Sequence, residues 1–212
     1  MRTGIFITFE GIEGCGKSYQ SKVLCRKLAR YGRDALLTIE PGGTPLGNAI
    51  RNLLKKTKFR ISAQTELFLF NASRSQLVDE VIGPALRSGK VVVCDRFTDS
   101  TMVYQGYGRG LDRDSVDYLN KLASSGVKPD ITFLLDLPVE AGLERKKQRH
   151  TDRFDAETLD FHRRIRAGFK ELAALDKDRW VVIDGLLTKK NISEIIWDKI
   201  EPFLKDKHNA RQ

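Results

Sequence analysis

The stretch IFITFEGIEGCGKS at positions 5–18 decides the fold. Residues 5–9 are a short apolar run with β-branched members, the pattern of a strand buried on both faces. Directly after it, Gly11, Gly16, Lys17 and Ser18 complete a GxxxxGK[ST] pattern. Residues 18–31 then read as a helix with Leu24, Leu28 and Tyr31 on one face. Strand, glycine-rich loop and helix in this order form a phosphate-binding loop. Its glycines let backbone N–H groups turn inward onto phosphate oxygens, and the helix N-terminus adds partial positive charge. Lys17 reaches the β- and γ-phosphates of a bound nucleoside triphosphate, and Ser18 is a Mg²⁺ ligand.

Outward from this loop, four more runs read as buried parallel strands: Ala35–Ile39, Val91–Asp95, Ile131–Asp136 and Trp180–Asp184. Each gap between strands holds a helical pattern, so the alternation predicts a doubly wound α/β sheet with helices on both faces. Pro138 suits the first turn of the helix after the fourth strand. Asn191 and Glu194 form a capping-box pattern for the last helix, followed by Ile192, Ile195, Ile196, Ile200 and Phe203 at helical spacing. The polar tail 205–212 is expected to fray. No repeat, low-complexity stretch or linker interrupts the 212 residues, which are read as one domain, 1–212.

Composition narrows the class. Hydrophobic residues make up 41% and charged residues 31%, the balance of a globular protein. No apolar run approaches the roughly 18 residues of a membrane span, and the N-terminus lacks the apolar core of a signal peptide. Cys15, Cys25 and Cys94 form no CxxC, which fits a reduced, cytoplasmic protein. The net charge of +9 fits either polynucleotide binding or an arginine-lined cleft for small polyanions. The basic residues are scattered and carry no interleaved aromatic stripe, which favours nucleotides over nucleic acid.

A strand-tip carboxylate beside such a loop organises Mg²⁺. Asp95 holds that position, though an Asp there could also cap the next segment. No Asp has Gly three residues later, and no [NT]KxD stands in the chain, so the switch and base-reading patterns of regulatory GTPases are missing. Phe70 and Arg74 lie four apart on one helical face. A stacking ring beside a guanidinium suits a pyrimidine base, although spacing alone favours a core Phe and a solvated Arg. Arg96 follows Asp95 and can clamp an acceptor phosphate. Glu13, inside the phosphate loop, suits a Mg²⁺ water or a sugar hydroxyl, or else points to solvent. Ser100 and Thr101 are wall residues near Tyr104 or helix caps. Cys15 is an acidified thiol or simply a small residue tolerated in the loop.

Together FEGIEGCGKS at 9–18, EPGGT at 40–44, TELFLFNASR at 65–74, DRFTDSTMVYQGYGRG at 95–110 and DR at 152–153 resemble the bacterial thymidylate kinases. The resemblance runs over nearly the whole chain. It implies a P-loop NTPase fold with a five-stranded parallel sheet, a homodimer, and Mg²⁺-dependent transfer from ATP to dTMP for DNA precursor synthesis. By the same resemblance Gly11, Ile12, Glu13, Gly14, Cys15, Gly16, Lys17 and Ser18 hold ATP. Glu13, Phe70, Arg74, Arg96, Ser100, Thr101, Tyr104 and Gln105 then form the dTMP site, with Ser18 and Asp95 on the metal. Two positions depart from the family: Ile39 stands where an Arg usually precedes Glu-Pro-Gly-Gly-Thr, and Ser18-Tyr19 replace two threonines. The alternative is another P-loop nucleotide or deoxynucleoside kinase; a rival of another class is a nucleic-acid-binding ATPase.

The phosphate loop offers no Arg, so catalytic positive charge is sought elsewhere. Residues 143–155 resemble the family's lid and supply Arg145, Arg149 and Arg153. Arg145 and Arg149 are one helical turn apart. Arg149 and Arg153 are expected to touch ATP phosphates and to complete a catalytic set with Lys17 and with Arg96 on the acceptor phosphate, and Arg145 is expected in ATP binding.

Overall fold

The computed structural model describes residues 4–57, 59–147 and 153–209. Five parallel strands, β1 (Ile5–Glu10), β2 (Ala35–Ile39), β3 (Val91–Asp95), β4 (Ile131–Asp136) and β5 (Trp180–Asp184), form one sheet in the order β2-β3-β1-β4-β5. The registers pair Phe9 with Asp95 on one side and with Phe133 on the other. β1 is therefore central, and successive strands are added on opposite sides of it, β2 and β3 on one and β4 and β5 on the other. That switch point is where doubly wound sheets open a crevice at their strand ends. The helices are α1 (Lys17–Arg30), α2 (Pro45–Lys56), α3 (Ala63–Leu77), α4 (Gly83–Arg87), α5 (Thr98–Thr101), α6 (Arg113–Ala123), α7 (Val139–Lys147), α8 (Leu159–Leu175) and α9 (Lys189–Asn209). Two wider π-helical turns, Val78–Ile82 and Met102–Gly108, extend α3 and α5.

Alternation along β1 separates two cores. Ile5, Ile7 and Phe9 join Leu24 and Leu28 of α1 and Ile192, Ile196 and Ile200 of α9. Phe6 joins Val92 and Cys94 with Leu77, Ile82 and Leu86. Both faces are thus covered, as the apolar runs predicted. The edge strands differ: Leu37 of β2 and Val182 of β5 are exposed, because each edge strand has a neighbour on one side and incomplete cover. The second face of β1 also carries buried polar groups: Thr8 bonds Thr132 across the ladder at 2.8 Å, and Glu10 is fully enclosed.

Three expected helix boundaries move. α1 begins at Lys17, and Tyr31 ends it as a half-exposed ring packed edge-on to Trp197 at 5.0 Å. α9 starts a turn earlier than the Asn191–Glu194 pattern suggested. The Thr188 hydroxyl accepts from Asn191 N at 3.2 Å, and Glu194 pairs instead with Lys190. Helix continues through the polar tail to Asn209, so the expected fraying does not extend over 205–209. Pro138 sits just before α7 and its carbonyl accepts from Gly142 N.

Candidate active site

A cavity of about 790 Å³ opens at the carboxyl ends of the strands. Residues 13–18 line one end and Phe70, Arg74, Tyr104 and Gln105 another. The loop owes its shape to positive φ at Gly11 (134°), Gly14 (74°) and Gly16 (101°), backbone that side chains rarely adopt. At Gly14 a Cβ would meet Gly142 O at 2.1 Å, so the loop also packs too tightly on α7 for any larger residue. α1 starts with no side-chain cap and no acidic residue in its first turn, which leaves its positive end uncompensated toward the cavity. Lys17 Nζ donates to Gly11 O (2.9 Å) and Ile12 O (2.8 Å) and lies 3.4 Å from Cys15 Sγ. Cys15 is buried, in keeping with a small residue filling space in the loop.

The Ser18 hydroxyl donates to Asp95, bringing the two expected metal ligands into contact. Oxygen donors of this kind suit Mg²⁺, which commonly takes one or two protein oxygens and completes its shell with phosphates and water. Among the described residues no group of three or more His, Cys, Asp or Glu side chains could hold a metal. The site therefore fits an ion shared with a nucleotide better than an all-protein cage.

Glu13 turns inward rather than to solvent. Its Oε1 accepts from Arg96 Nη2 at 2.8 Å, and its Oε2 accepts from the Tyr104 hydroxyl. Burial opposes its charge, but Arg96, Lys17, the Tyr104 hydrogen bond and His162 acting together hold the carboxyl down at about 2. Arg96 adopts φ 75°, a left-handed backbone costing of order 1–3 kcal/mol for a residue with a side chain. Glu10 holds that turn from beneath: Oε1 accepts from Phe97 N (2.8 Å) and Oε2 from Ser100 Oγ (2.6 Å). Enclosure, reinforced by the charge of Asp99 and only partly offset by Arg96, pushes the Glu10 carboxyl up to about 8.

Ser100 also accepts from Arg96 Nη1 at 2.9 Å, and Thr101 accepts from Arg74 Nη2 at 2.7 Å. Neither is a cap; α5 has Phe97 at its N-cap, with no side-chain bond. Phe70 faces the cavity with its ring 6.0 Å from that of Phe154. Tyr104 is buried among Phe154, Phe161 and Phe169, and burial raises its phenol well above the ordinary range.

Two expected roles meet different geometry. Arg74 is neither a solvated charge nor a side chain with idle donors. It is 1% exposed and donates to Glu40, Asn71, Asn120, Phe97 O and Thr101. Arg153, expected at ATP phosphates, donates to Glu66 Oε2 (2.5 Å) and Leu54 O (3.2 Å), and its guanidinium lies over the Phe154 ring. It is thus gathered with acceptor-end elements. Arg145 lines the cavity and donates to Gly185 O at 3.0 Å. Arg149 lies outside the described residues.

Several site residues escaped the sequence reading. Glu10, Glu40 and Glu66 are buried acids, and their signal was a charge set in an otherwise apolar or helical run. Burial pushes the Glu40 carboxyl up despite Arg74 at 2.7 Å. Arg51 and Lys55 are one turn apart on α2 and line the cavity. Ile39, at the family's Arg position, lines it as well, which puts an apolar surface there.

Comparison with known proteins agrees with this geometry. The thymidylate kinase family model matches residues 9–196. The thymidylate kinase of Dehalococcoides mccartyi strain 195 is 50% identical over 202 residues, covering 95% of this chain and 98% of its own. That of Desulfovibrio desulfuricans is 47% identical over 210 residues, covering 95% and 97%. A crystal structure of thymidylate kinase from Ehrlichia chaffeensis superposes with a TM-score of 0.72 at 40% identity, over 85% of this chain and 92% of that one. The chain belongs to the thymidylate kinase family.

Proposed function

We infer that this enzyme transfers the γ-phosphoryl group of ATP to dTMP, giving ADP and dTDP, with the two substrates meeting in the one cavity. The observation that carries the reading is the continuity of that cavity from the phosphate loop to the Phe70–Tyr104–Gln105 wall. An oxygen of the dTMP phosphate attacks the γ-phosphorus as the bond to the β–γ bridging oxygen breaks, and ADP leaves with that oxygen. No side chain needs to form a covalent intermediate, so catalysis is alignment and charge neutralisation. Lys17 moves from loop carbonyls to phosphate oxygens of similar hydrogen-bonding character. Arg96, held by Glu13 and Ser100, is aimed at the acceptor phosphate. Ser18 and Asp95 would hold Mg²⁺, which would neutralise phosphate charge when bound. Phe70 offers its ring face to the base.

Assembly as a homodimer is part of this proposal. Leu46 and Leu53 of α2, Phe68 of α3, and Tyr118 and Leu122 of α6 are large, apolar and exposed. α3 packs between α2 and α6, so these side chains belong to adjoining helices. Equilibrium sedimentation tests the dimer, and a monomer at assay concentrations rejects it. A cytoplasmic location accords with three unpaired cysteines.

The activity is tested by a coupled ADP-release assay against a panel of nucleosides and monophosphates. dTMP should be the preferred acceptor; preference for a nucleoside or a purine monophosphate would overturn the assignment. Nucleic acid should not stimulate turnover.

A further inference from the structure

Gln105 presents an unusual half-satisfied amide. It is 1% exposed, and Nε2 donates to Glu66 Oε1 at 2.7 Å. Its Oε1 is buried without a partner, although the residue lines the cavity. A buried acceptor left unmatched is costly unless a ligand donor meets it.

The orientation of that amide is decided by Glu66, which is fully buried and does not line the cavity. A carboxylate only accepts, so the Gln105 NH₂ must face it and the carbonyl must face away. Glu66 is itself clamped by two guanidinium groups. Arg109 donates from Nε to Oε1 (3.1 Å) and from Nη2 to Oε2 (3.2 Å), and Arg153 donates to Oε2 at 2.5 Å. Arg109 is fixed in turn by Glu157 at 2.6 Å. The other polar group near the base wall, Arg74, has its N–H groups engaged by five residues of the fold. Among the described residues, three cavity-lining side-chain oxygens are buried without a partner, those of Gln20, Glu40 and Gln105, and of these Gln105 belongs to the wall that carries Phe70 and Tyr104.

We propose that Glu66 is a positioning residue for base selection: it locks Gln105 with its carbonyl oxygen toward the cavity, so the pocket takes a pyrimidine that donates from ring position 3 and rejects one that accepts there. Thymine carries N3–H and satisfies the oxygen. Cytosine carries a lone pair at N3, which would face the lone pairs of Gln105. The inference rests on the acceptor-site reading above and adds to it the residue that sets hydrogen-bond polarity. A site built to hydrogen-bond one group can reject an analogue lacking it by roughly 10⁴–10⁵-fold.

The test is the ratio of kcat/KM for dTMP to that for dCMP in wild type, Glu66→Gln, Gln105→Leu and the double variant. A glutamine at 66 can donate to the Gln105 carbonyl, so the amide is free to turn its NH₂ toward the base. The ratio should fall at least about tenfold in Glu66→Gln, a loss well within what hydrogen-bond polarity supplies. In the Gln105→Leu background the same change should leave the ratio within about twofold, since positioning needs its target. An unchanged ratio in an active Glu66→Gln enzyme overturns the proposal, as does an equal fall with and without Gln105. Wild type inactive on dTMP would instead overturn the acceptor-site reading. Should Glu66→Gln fail to fold, amide exchange in wild type decides: Gln105 side-chain NH₂ protons held by a buried carboxylate exchange slowly, and fast exchange overturns the proposal.

Discussion

At the proposed donor end of the cavity, the groups assigned to phosphate in the phosphate-binding loop come from eight consecutive residues, 11–18. At the acceptor end they come from α3, α5 and the turn Met102–Gly108, reinforced from β1, the loop after β2, α6 and the chain around Arg153. The donor end uses backbone N–H groups, three positive-φ glycines and one lysine. The acceptor end uses side chains almost throughout, and each is held by another side chain. Backbone recognises any polyphosphate, whereas side-chain polarity and shape distinguish one acceptor from another. A loss at the donor end should therefore appear in turnover with every acceptor, and a loss at the acceptor end in the choice and binding of dTMP.

The largest break should come from Lys17→Ala. Removing a positioned donor to developing charge costs roughly 10²–10³-fold, and here the donor is also the only cation in the loop, so kcat should fall by at least about 10³-fold. Thermal unfolding should show an intact fold. A folded variant with near-normal phosphoryl transfer would remove the donor end from the mechanism.

Phe70→Ala probes the opposite end. Base–aromatic stacking is worth about 1–3 kcal/mol, so dTMP should bind roughly 5- to 150-fold more weakly by calorimetry. ATP affinity should hold. Equal weakening of both ligands would mean that the two ends are not separable in this way.

Arg153 sharpens the comparison because sequence and structure place it at different ends. Charged hydrogen bonds contribute about 1.5–3 kcal/mol, so Arg153→Ala should raise the KM for dTMP by roughly tenfold or more while leaving the KM for ATP within about twofold. A variant that loses kcat and ATP binding with dTMP binding intact would return this arginine to the donor end.

The smallest effect concerns the joint between the ends. Glu10 supports the Arg96 turn, with its carboxyl raised from 4.5 to about 8. The folded state therefore holds a proton that the unfolded state has released across that interval. Stability from this group is complete below about pH 4.5 and is lost as pH rises through about 8. Glu10→Gln keeps an acceptor for Phe97 N without the titration. The melting temperature of wild type relative to this variant should fall from about pH 5 to about pH 9, a window set by the two pKa values. A constant difference would show that Glu10 does not titrate there.

The two ends also differ in how far they could be read in advance. All five strands were legible because buried parallel strands are short, apolar and separated by helical spacing; only β1 runs one residue longer, to Glu10. The phosphate loop was legible because its chemistry depends on local backbone angles, which Gly11, Gly14 and Gly16 supply wherever the chain goes next. Phe70, Arg74, Arg96, Ser100, Thr101, Tyr104 and Gln105 were legible as a set through family motifs, and the cavity gathers them. Their partners were not. The cap at Thr188 was missed for a smaller reason of the same kind, since Asn191 and Glu194 also satisfy a capping pattern and only the observed bond separates the two.

The sequence by itself determined the strand–loop–helix unit, the α/β alternation and the order of motifs, because each follows from neighbours a few residues apart. The tertiary structure decided what the charged side chains do. Arg74 meets Glu40 across 34 residues, Arg96 meets Glu13 across 83, and Arg153 meets Glu66 across 87. An arginine carries the same donors in any sequence context; which carboxylate it reaches, and whether water is excluded there, depends on how the strand ends converge. Those pairings then have their consequence: Arg96 and Lys17 lower Glu13 against its burial, enclosure raises Glu10, and Glu66 takes the Gln105 NH₂ and leaves its oxygen without a partner.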